Sequence, residues 1–422
     1  MKQKILFMTV GTGFGEERRK SLAQGLCYSI KENLPNHIVF FVTEESEKTV
    51  DIINELYYEE ENEELDSYEL VRISAPDDFN ECYDKIAEKI IEYQNDKLVL
   101  DYTSGTKTMS ISMAIIGVIN KKTLIATIGQ RGETGTVVHS TEEIKHQNVY
   151  KVYDELNLRQ LKYYFNLNRF DSAKDLLDNI VSLLTPEDKQ MFKEFIEIYD
   201  QWDKFNHSPL KIKSENTVFN NIKEQIQKNQ QAINIILKEK HKQKEYFILS
   251  DIINNAKRRY SEGKYDDAVA RLYRSLEYIA QVKLEKEYGQ ISSNIDINKL
   301  KNYKLKPEYM DNLETRKQNG KIKLGLREDY RLLKELKDEL GEYYYSKENI
   351  YQDILNERND SILAHGTTPT SKEKYEKFEE LVLEMAERLT PDIEIFLEKT
   401  KFPKFKVWKH ENQYMYTNTK NR

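Results

Sequence analysis

The chain has 422 residues, of which 39% are hydrophobic and 32% charged, and its formal net charge is −7. This length predicts about three domains, and the acidic balance excludes nucleic-acid binding through overall charge, so an RNA or DNA site would have to be a local basic patch. The two cysteines, Cys27 and Cys82, form neither a metal-ligand pair nor a disulfide framework, which favours a reducing cytoplasm. No apolar run reaches the ~20 residues that span a bilayer, and the first run, "KILFMTVG", is too short for a signal peptide.

The first 150 residues alternate short apolar runs with segments of helical period. The apolar runs are "KILFMTV", "HIVFFVT", "YELVRIS", "KLVLDYT" and "TLIATI", and "GTVVHS" (residues 135–140) predicts one further strand. Segments such as "KTVDIINELYYEE" lie between them. This alternation is typical of a parallel, doubly wound sheet with helices on both faces.

Two loops of small residues follow strands one and four of this sheet. They read "GTGFG" (residues 11–15) and "DYTSGTKTMS" (residues 101–110), and "GQRG" (residues 129–132) follows strand five. In a sheet of order 3-2-1-4-5-6, strands one and four are neighbours, and ligands bind where their carboxyl ends meet. A helix starting near Thr106, with Lys107 in its first turn, would favour an anion such as a phosphate. The predicted ligand-binding residues are Gly11, Thr12, Gly13, Phe14, Thr103, Ser104, Gly105, Thr106, Lys107, Gln130 and Arg131.

Each loop alone also fits a simpler interpretation, a tight turn between a strand and a helix. "GTGFG" lacks the third glycine of the dinucleotide fingerprint, and "SGTKT" lacks the glycine that precedes the lysine of a P-loop. A nucleotide-binding enzyme of dehydrogenase type stays open, because strand two ends in Thr43-Glu44-Glu45. Two loops that converge on one point of the sheet favour a site for a phosphate-bearing ligand.

From residue 151 onward the pattern is helical, with soft breaks at residues 205–217 and near Lys240. "NRFDSAKDLL" and "GKYDDAVARL" are similar, but no copy at a regular period lies between them, so a helical repeat adaptor is only an alternative. Two stretches are locally basic: residues 299–323, and "KTKFPKFKVWKH", which interleaves lysines with Phe402, Phe405 and Trp408. Both suit single-stranded nucleic acid. A solvated loop and a C-terminal segment that docks its rings in a core are the simpler explanations, since charge runs are usually surface.

One helix near the C-terminus carries two basic side chains on an apolar stripe. The stripe has spacings of 4, 3, 4 and 3 and consists of Tyr351, Leu355, Arg358, Ile362 and His365. Ser346 is the predicted N-cap and Gly366 the predicted stop. A structural ion pair of Arg358 with Asp353 or Glu357, and a histidine that caps the helix, would explain this pattern. A pair of polar groups lining a cleft would explain it too.

Arg358-Asn359, six intervening residues after the arginine, and then His365 resemble the R-x4–6-H signature of HEPN ribonucleases. The upstream segment "YDDAVARLYRSLEYIAQ" (residues 265–281) resembles the first long HEPN helix, and the sheet with "GTGFG" and "DYTSGTKTMS" resembles a CARF domain. CARF followed by HEPN resembles the CRISPR-associated ancillary ribonucleases of type III systems. The expected architecture is a Rossmann-like CARF domain over residues 1–150, a helical linker domain over 151–240 and a HEPN domain over 241–422.

This resemblance implies a cytoplasmic homodimer that cuts single-stranded RNA without a metal and without stable DNA binding. Two R-x4–6-H faces would form a composite site. Arg358 would stabilise the phosphorane, His365 would act as general base or acid, and Asn359 would orient the site, leaving a 2′,3′-cyclic phosphate. A cyclic oligoadenylate, hexa- or tetra-adenylate, would bind the CARF dimer as an allosteric activator.

The resemblance further implies that some CARF sites degrade their activator, for which Thr106 is the predicted positioning residue. A capping role for the Thr106 hydroxyl is the alternative. At the level of the whole protein, a CARF-type nucleotide-sensing regulator without catalysis and a helical adaptor are the rival interpretations. A transcriptional regulator would need a helix-turn-helix reader, and the sequence offers none.

Overall fold

The computed structural model of the chain describes residues 2–13, 15–132, 137–211, 217–359, 363 and 366–407, without the side chains of 217–218 and 354–359. It falls into two compact units, Met1–Leu158 with Asp178–Thr185, and Arg159–Leu177 with Pro186–Arg422. The first unit contains a six-stranded sheet. Its strands are β1 (Lys4–Thr9), β2 (His37–Val42), β3 (Tyr68–Arg72), β4 (Lys97–Asp101), β5 (Thr123–Ile128) and β6 (Glu143–Gln147).

The order of the sheet is β3-β2-β1-β4-β5-β6, so β1 and β4 lie side by side at its centre. Strands β1 to β5 are parallel, and β6 pairs with β5 in the antiparallel sense. The central strands are apolar on both faces because helices cover both. Phe7 and Phe41 belong to one core and Met8 and Phe40 to the other, and all four side chains are fully buried. The predicted fold class is confirmed.

The strand predicted at residues 135–140 is wrong. Val137 forms only an isolated bridge with Arg131, and residues 139–140 lie in a turn. The sixth strand comes later, at residues 143–147, where polar side chains alternate with Ile144. An edge strand needs an apolar side chain on one face only, so it lacks the continuous apolar run on which the prediction relied.

The helices between the strands of the first unit are α1 (Glu16–Asn33), α2 (Glu47–Glu61), α3 (Phe79–Glu92) and α4 (Lys107–Ile119). A further helix, α5 (Tyr150–Asn166), follows the sheet. In its first turns the buried Asp154 accepts the backbone N–H groups of Val181, Ser182 and Leu183 at 2.6 to 2.9 Å. These bonds attach the segment 178–185 to the first unit and hold the pKa of this carboxyl below its usual range despite the opposing effect of burial.

The second unit is helical. In chain order its helices are α6 (Phe170–Asp178), α7 (Pro186–Asp203), a 3-10 helix (Thr217–Ile222), α8 (Lys223–Ile236), α9 (Lys244–Ser261), α10 (Tyr265–Tyr288), α11 (Ile297–Leu300), α12 (Pro307–Thr315), α13 (Leu326–Glu335), α14 (Glu339–Ser346), α15 (Glu348–Asn359), α16 (Lys372–Leu389) and α17 (Ile393–Thr400). The long helix α10 packs against α9, α13 and α16. Three buried tyrosines stack within this core, Tyr344 lying between Tyr330 and Tyr351 with ring centroids 4.3 and 4.6 Å away.

The C-terminal aromatic segment docks into the core of the second unit. Phe402 and Phe405 are each 5% exposed. The Phe405 ring lies 5.3 Å from that of Phe165, and the Phe402 ring lies 5.0 Å from that of Tyr199. These two rings are therefore core residues and are not available to stack on nucleic-acid bases, whereas Trp408 lies outside the described residues.

Candidate functional site

The loops after β1 and β4 are joined directly. The Gly11 N–H donates to Ser104 Oγ at 2.9 Å, and the Thr9 hydroxyl donates to the Ser104 carbonyl at 2.5 Å. On its other side, the Gly11 carbonyl accepts the hydroxyl of Thr49 at 3.0 Å. The register of the sheet pairs Met8 with Asp101, so both loops start at the same level. The structure thus brings together the two loops that the sequence singles out.

Close backbone approach explains two of the glycines. Gly105 has a φ of +95°, and a Cβ there would lie 3.1 Å from the Cβ of Thr9. Gly13 has a φ of +63°, and its Cβ would lie 2.7 Å from the backbone nitrogen of Arg19. The same arginine donates from Nε to the Thr12 carbonyl at 2.7 Å. A side chain at either glycine would strain the backbone and push the loops apart. Phe14 lies outside the described residues.

The buried side chain of Asp101 holds the second loop in place through hydrogen bonds, a role that was not predicted from the sequence. Its fully buried carboxylate accepts the Ser29 hydroxyl at 2.5 Å, the Thr103 N–H at 2.9 Å and the Thr103 hydroxyl. Thr103 Oγ1 in turn accepts the N–H of Thr127 at 2.7 Å. Burial raises the pKa of Asp101, and these hydrogen bonds oppose the increase. An aspartate that accepts the N–H two residues later is a known turn signature, which could have indicated this role.

Thr106 and Lys107 lie where the second loop enters α4. Thr106 is the N-cap of α4, because its hydroxyl accepts the N–H of Met109 at 3.2 Å and donates to the Pro76 carbonyl at 2.6 Å. The Lys107 side chain is exposed. A shallow cavity of about 310 Å³ opens beside it, with Gly105 and Ile111 in its lining. The first turn of α4 therefore presents backbone N–H groups and one ammonium at this edge of the sheet.

The third predicted loop, after β5, is exposed at the same edge of the sheet. The Gln130 N–H donates to Thr141 Oγ1 at 3.0 Å, and the carbonyl of Gln130 accepts the N–H of Val138 at 2.8 Å. Arg131 is exposed and forms the isolated bridge with Val137. The described hydrogen bonds of Gln130 are thus with residues 138 and 141 of its own loop.

The second candidate site lies at the end of α15. The backbone of Arg358 and Asn359 lies in the last turn of this helix. Their side chains and the whole of His365 lie outside the described part of the structure. Tyr351, on the same predicted stripe, is fully buried, and its hydroxyl has no hydrogen-bond partner among the described residues. The predicted stop at Gly366 depends on residues 360–365, of which only Leu363 is described.

The prediction that Ser346 caps this helix is wrong. Ser346 is the last residue of α14, and its hydroxyl donates to the Tyr343 carbonyl at 2.7 Å. The start of α15 is fixed by ion pairs instead. Lys347 lies 2.7 Å from Glu384 of α16, and Glu348 lies 3.1 Å from Arg327 of α13. These pairs and the buried Tyr351 ring hold α15 against the helical core.

The predicted basic stretch at residues 299–323 contains ion pairs within the protein. Arg316 lies 3.1 Å from Glu328, and Lys306 lies 3.9 Å from Glu335. Over the described parts of the chain, no three His, Cys, Asp or Glu side chains are grouped so as to hold a metal ion. Within the same described residues, no helix has the length and apolar character needed to cross a membrane.

Two family models match adjacent parts of the chain. Residues 153–245 match the Csm6 6H domain, and residues 237–389 match the Csm6 HEPN domain. Together these matches cover more than half of the chain, directly after the sheet with its two joined loops. The chain belongs to the Csm6 type of CARF–HEPN proteins. The resemblance inferred from Arg358, His365 and the two loops is thereby confirmed at the level of the family, and the three-domain boundaries stay a prediction.

A solved structure similar over nearly the whole length is "Enterococcus italicus Csm6 bound to cyclic hexa-2′-fluoro-hexa-dAMP". It has a TM-score of 0.60 and 14% identity, and the match covers 94% of this chain and 98% of the other. This likeness supports the fold of the CARF–HEPN chain.

Two other structures match with a TM-score of only 0.24. They are Can2 from Sulfobacillus thermosulfidooxidans in complex with cyclic tetra-adenylate (13% identity, 49% of this chain and 67% of the other) and protein VC1899 from Vibrio cholerae (10% identity, 69% and 72%). No curated protein matches the sequence.

Proposed function

We propose that this Csm6-type protein is a metal-independent endoribonuclease that cuts single-stranded RNA and is activated by a cyclic oligoadenylate in type III CRISPR antiviral defence. The observation that carries the proposal is the combination of a Csm6 HEPN match over residues 237–389 with a pair of joined loops at the switch point of the sheet. The first supplies a nuclease domain, and the second supplies a site for a phosphate-bearing ligand.

The cleavage chemistry would use Arg358, Asn359 and His365. The 2′-hydroxyl of the substrate attacks the adjacent phosphorus, and the 5′-oxygen of the next nucleotide leaves, which yields a 2′,3′-cyclic phosphate and a 5′-hydroxyl. His365 would accept or deliver the proton, and Arg358 would stabilise the charge on the phosphorane oxygens. Because Arg358 lies in the last turn of α15, the ion pairs at the start of this helix and the Tyr351 stack would set the position of Arg358.

The activator would bind over the first turn of α4. There the exposed Lys107 ammonium and the helix N-terminus would face phosphates. Ser104 and Thr103 use their hydroxyls within the protein, as the acceptor for Gly11 and the link to Thr127. Their proposed part in activator binding is therefore to shape the loop, while Gly11, Gly13 and Gly105 let the backbone approach the ligand.

A homodimer would place two such sites together. On α4, Ile111, Ile115 and Ile119 are 52%, 37% and 55% exposed and occur at every fourth residue, so they form one apolar stripe. Ile111 also lines the cavity beside Lys107. A second copy that packs its own α4 on this stripe would bury the apolar surface. The Lys107 side chains of both copies would then lie near a cyclic oligoadenylate bound across the two-fold axis.

The decisive experiment is RNA cleavage by the purified full chain with and without added cyclic tetra-adenylate or cyclic hexa-adenylate. We expect cleavage of single-stranded RNA that one of the two rings increases strongly, and that continues in EDTA. If neither cyclic oligoadenylate changes the rate of RNA cleavage, the proposal that such a ring activates the protein is refuted. Activity that is lost in EDTA and restored by Mg²⁺ or Mn²⁺ would refute the metal-independent chemistry.

A further inference from the structure

A groove beside the end of α7 is lined by rings and guanidinium groups that the proposed cleavage and activator sites do not use. It has a volume of about 480 Å³, within the range of ligand pockets, and Phe205, Arg271, Arg274 and Tyr278 line it together with the apolar Ile248 and Ile252. A second cavity of about 530 Å³ adjoins it, since Lys204 and Arg271 line both. All of these residues belong to the second unit.

Phe205 occupies a backbone position that an aromatic residue seldom takes. The helix α7 ends in a Schellman motif, with the N–H of Asn206 on the Gln201 carbonyl at 2.9 Å and the N–H of Phe205 on the Trp202 carbonyl at 2.8 Å. The C′ residue of this motif needs a positive φ and is usually glycine or asparagine. Phe205 has a φ of +63°, and its side chain is 38% exposed. A strained backbone that holds an exposed ring in a groove points to a role for the ring.

Two arginines and a tyrosine of the groove lie on one face of α10. Arg271, Arg274 and Tyr278 are three and four residues apart, so they follow one another along about 10 Å of the helix. The Arg274 side chain is 45% exposed, and its guanidinium carbon lies 5.3 Å from the centroid of the Tyr278 ring. Its Nη1 donates to Gln281 at 3.0 Å and contacts Glu277 at 3.4 Å. The groove thus combines rings with donors suited to phosphate.

Among the described residues that line this groove, Asp203 is the one carboxylate, and it is paired with two arginines. Asp203 accepts from Arg258 Nε at 2.6 Å and from Arg259 Nη2 at 2.5 Å. Arg271 donates from Nη1 to the carboxylate and the carbonyl of Asp267 at 3.0 and 2.9 Å and from Nε to Asn255, so Nη2 is the donor that it would offer a phosphate. A polyanion that enters the groove would therefore meet arginine donors, and the charge of Asp203 would be largely compensated by its two partners.

We propose that this groove binds a nucleotide unit of single-stranded RNA, with a base on the Phe205 ring and a phosphate on Arg271 and Arg274. It rests on the proposed ribonuclease function, for which it supplies a substrate contact outside the R-x4–6-H site. Stacking on a ring and pairing with arginines is the general way in which proteins hold single strands without reading their sequence.

The test measures binding without cleavage or activator. The full-length His365→Ala protein is titrated into a labelled single-stranded RNA of about 12 nucleotides, alone and combined with Phe205→Asn or Arg274→Gln. Each added change should weaken binding about tenfold, the effect of losing one stacked base or one phosphate contact. Phe205→Asn suits the positive φ, so its melting temperature should stay the same or rise. Lys238→Gln, which removes an exposed lysine outside the groove, is the matched control and should leave binding unchanged.

Arg274→Gln should also reduce the slope of log Kd against log salt by roughly 0.7, the contribution of one single-strand phosphate. RNA binding that neither groove variant alters would overturn the proposal. If Phe205→Asn lowered the melting temperature, its weaker binding could come from misfolding, and the RNA affinity of Arg274→Gln would then decide whether the groove binds RNA. Adenosine monophosphate that binds as tightly as RNA, and is weakened by the same changes, would assign the groove to a free nucleotide instead. A protein that binds RNA here but never cleaves it would refute the ribonuclease function and leave the groove assignment intact.

Discussion

Gly11 donates its backbone N–H to the hydroxyl of Ser104 at 2.9 Å, although the two residues are 93 positions apart in the chain. This bond makes one rigid unit of the loops after β1 and β4, because Ser104 is 5% exposed and its carbonyl also accepts from Thr9 and Ser110. A ligand that binds over one of these loops should therefore shift or order the other loop as well.

Ser104→Ala tests this coupling. The change leaves the Gly11 N–H without its acceptor, which costs about 1 kcal/mol, and it releases the first loop. We expect the Kd for the activator to rise about fivefold, as measured by calorimetry on the purified protein. Ser261→Ala loses a comparable hydroxyl bond, to the Arg258 carbonyl in the other unit, and should not affect activator binding. An equal loss in both variants would contradict a specific coupling of the loops.

Arg358→Ala and His365→Ala should each reduce the rate of RNA cleavage by about 100-fold or more, because in the proposed mechanism each removes a group that acts on the transition state. Activator binding and the oligomeric state, measured by calorimetry and light scattering, should not change. His146→Ala, at an exposed histidine of β6, is the control. Full cleavage activity in either variant of the pair would exclude that residue from the active site.

Lys107→Glu reverses the charge at the first residue of α4. It should raise the activator concentration needed for half-maximal cleavage about tenfold or more, since an acidic group would face the ring phosphates. Activity without activator should be the same as in the wild type. Lys85→Glu on α3 changes the net charge equally, away from the loops. A coincident activation curve for wild type and Lys107→Glu would place the activator elsewhere.

Slow cleavage of the activator by the CARF domain is a separate prediction. Incubation of the His365→Ala protein with cyclic hexa-adenylate should give linear products ending in a 2′,3′-cyclic phosphate, separated by chromatography. Thr106→Ala should stop this reaction without abolishing binding, and Thr106→Ser should restore it. Because the Thr106 hydroxyl caps α4 and bonds to Pro76, melting curves must accompany both variants. A ring that stays intact in excess protein would end the prediction.

Asp329 predicts a dependence of stability on pH. Burial in the first turn of α13 raises the pKa of its carboxyl to about 7. The folded protein therefore keeps this group neutral at pH values at which the unfolded chain has already lost the proton. The stabilising effect of the neutral form is complete below the unfolded pKa of about 4 and is lost as the pH rises through 7. The melting temperature of Asp329→Asn, measured relative to wild type by differential scanning fluorimetry, should therefore increase as the pH is raised from 5 to 8. A difference independent of pH would contradict the raised pKa.

Local sequence patterns predicted the main elements where one periodicity dominates. The continuous apolar runs of β1, β2 and β4 and the small-residue loops after them could be predicted, because buried parallel strands and tight turns restrict composition strongly. The edge strand β6 and the end of α14 at Ser346 could not, since a half-exposed strand and a polar residue between two helices carry weak signals. The bond of Asp101 to Ser29 and that of Thr103 to Thr127 join distant segments, and no local pattern contains them, whereas the turn from Asp101 to Thr103 is a local signature.

The docking of Phe405 against Phe165 has a consequence for how the protein is made. Asn166 also bonds to the backbone of Phe405 at both its N–H and its carbonyl, at 2.8 Å, so the link joins residues 239 positions apart. During synthesis the helices around Phe165 emerge well before Phe405, and the aromatic core that they share with this residue cannot close until it has left the ribosome. Nascent chains should therefore carry an incomplete, apolar helical layer until Phe405 emerges, and then complete it in one long-range step.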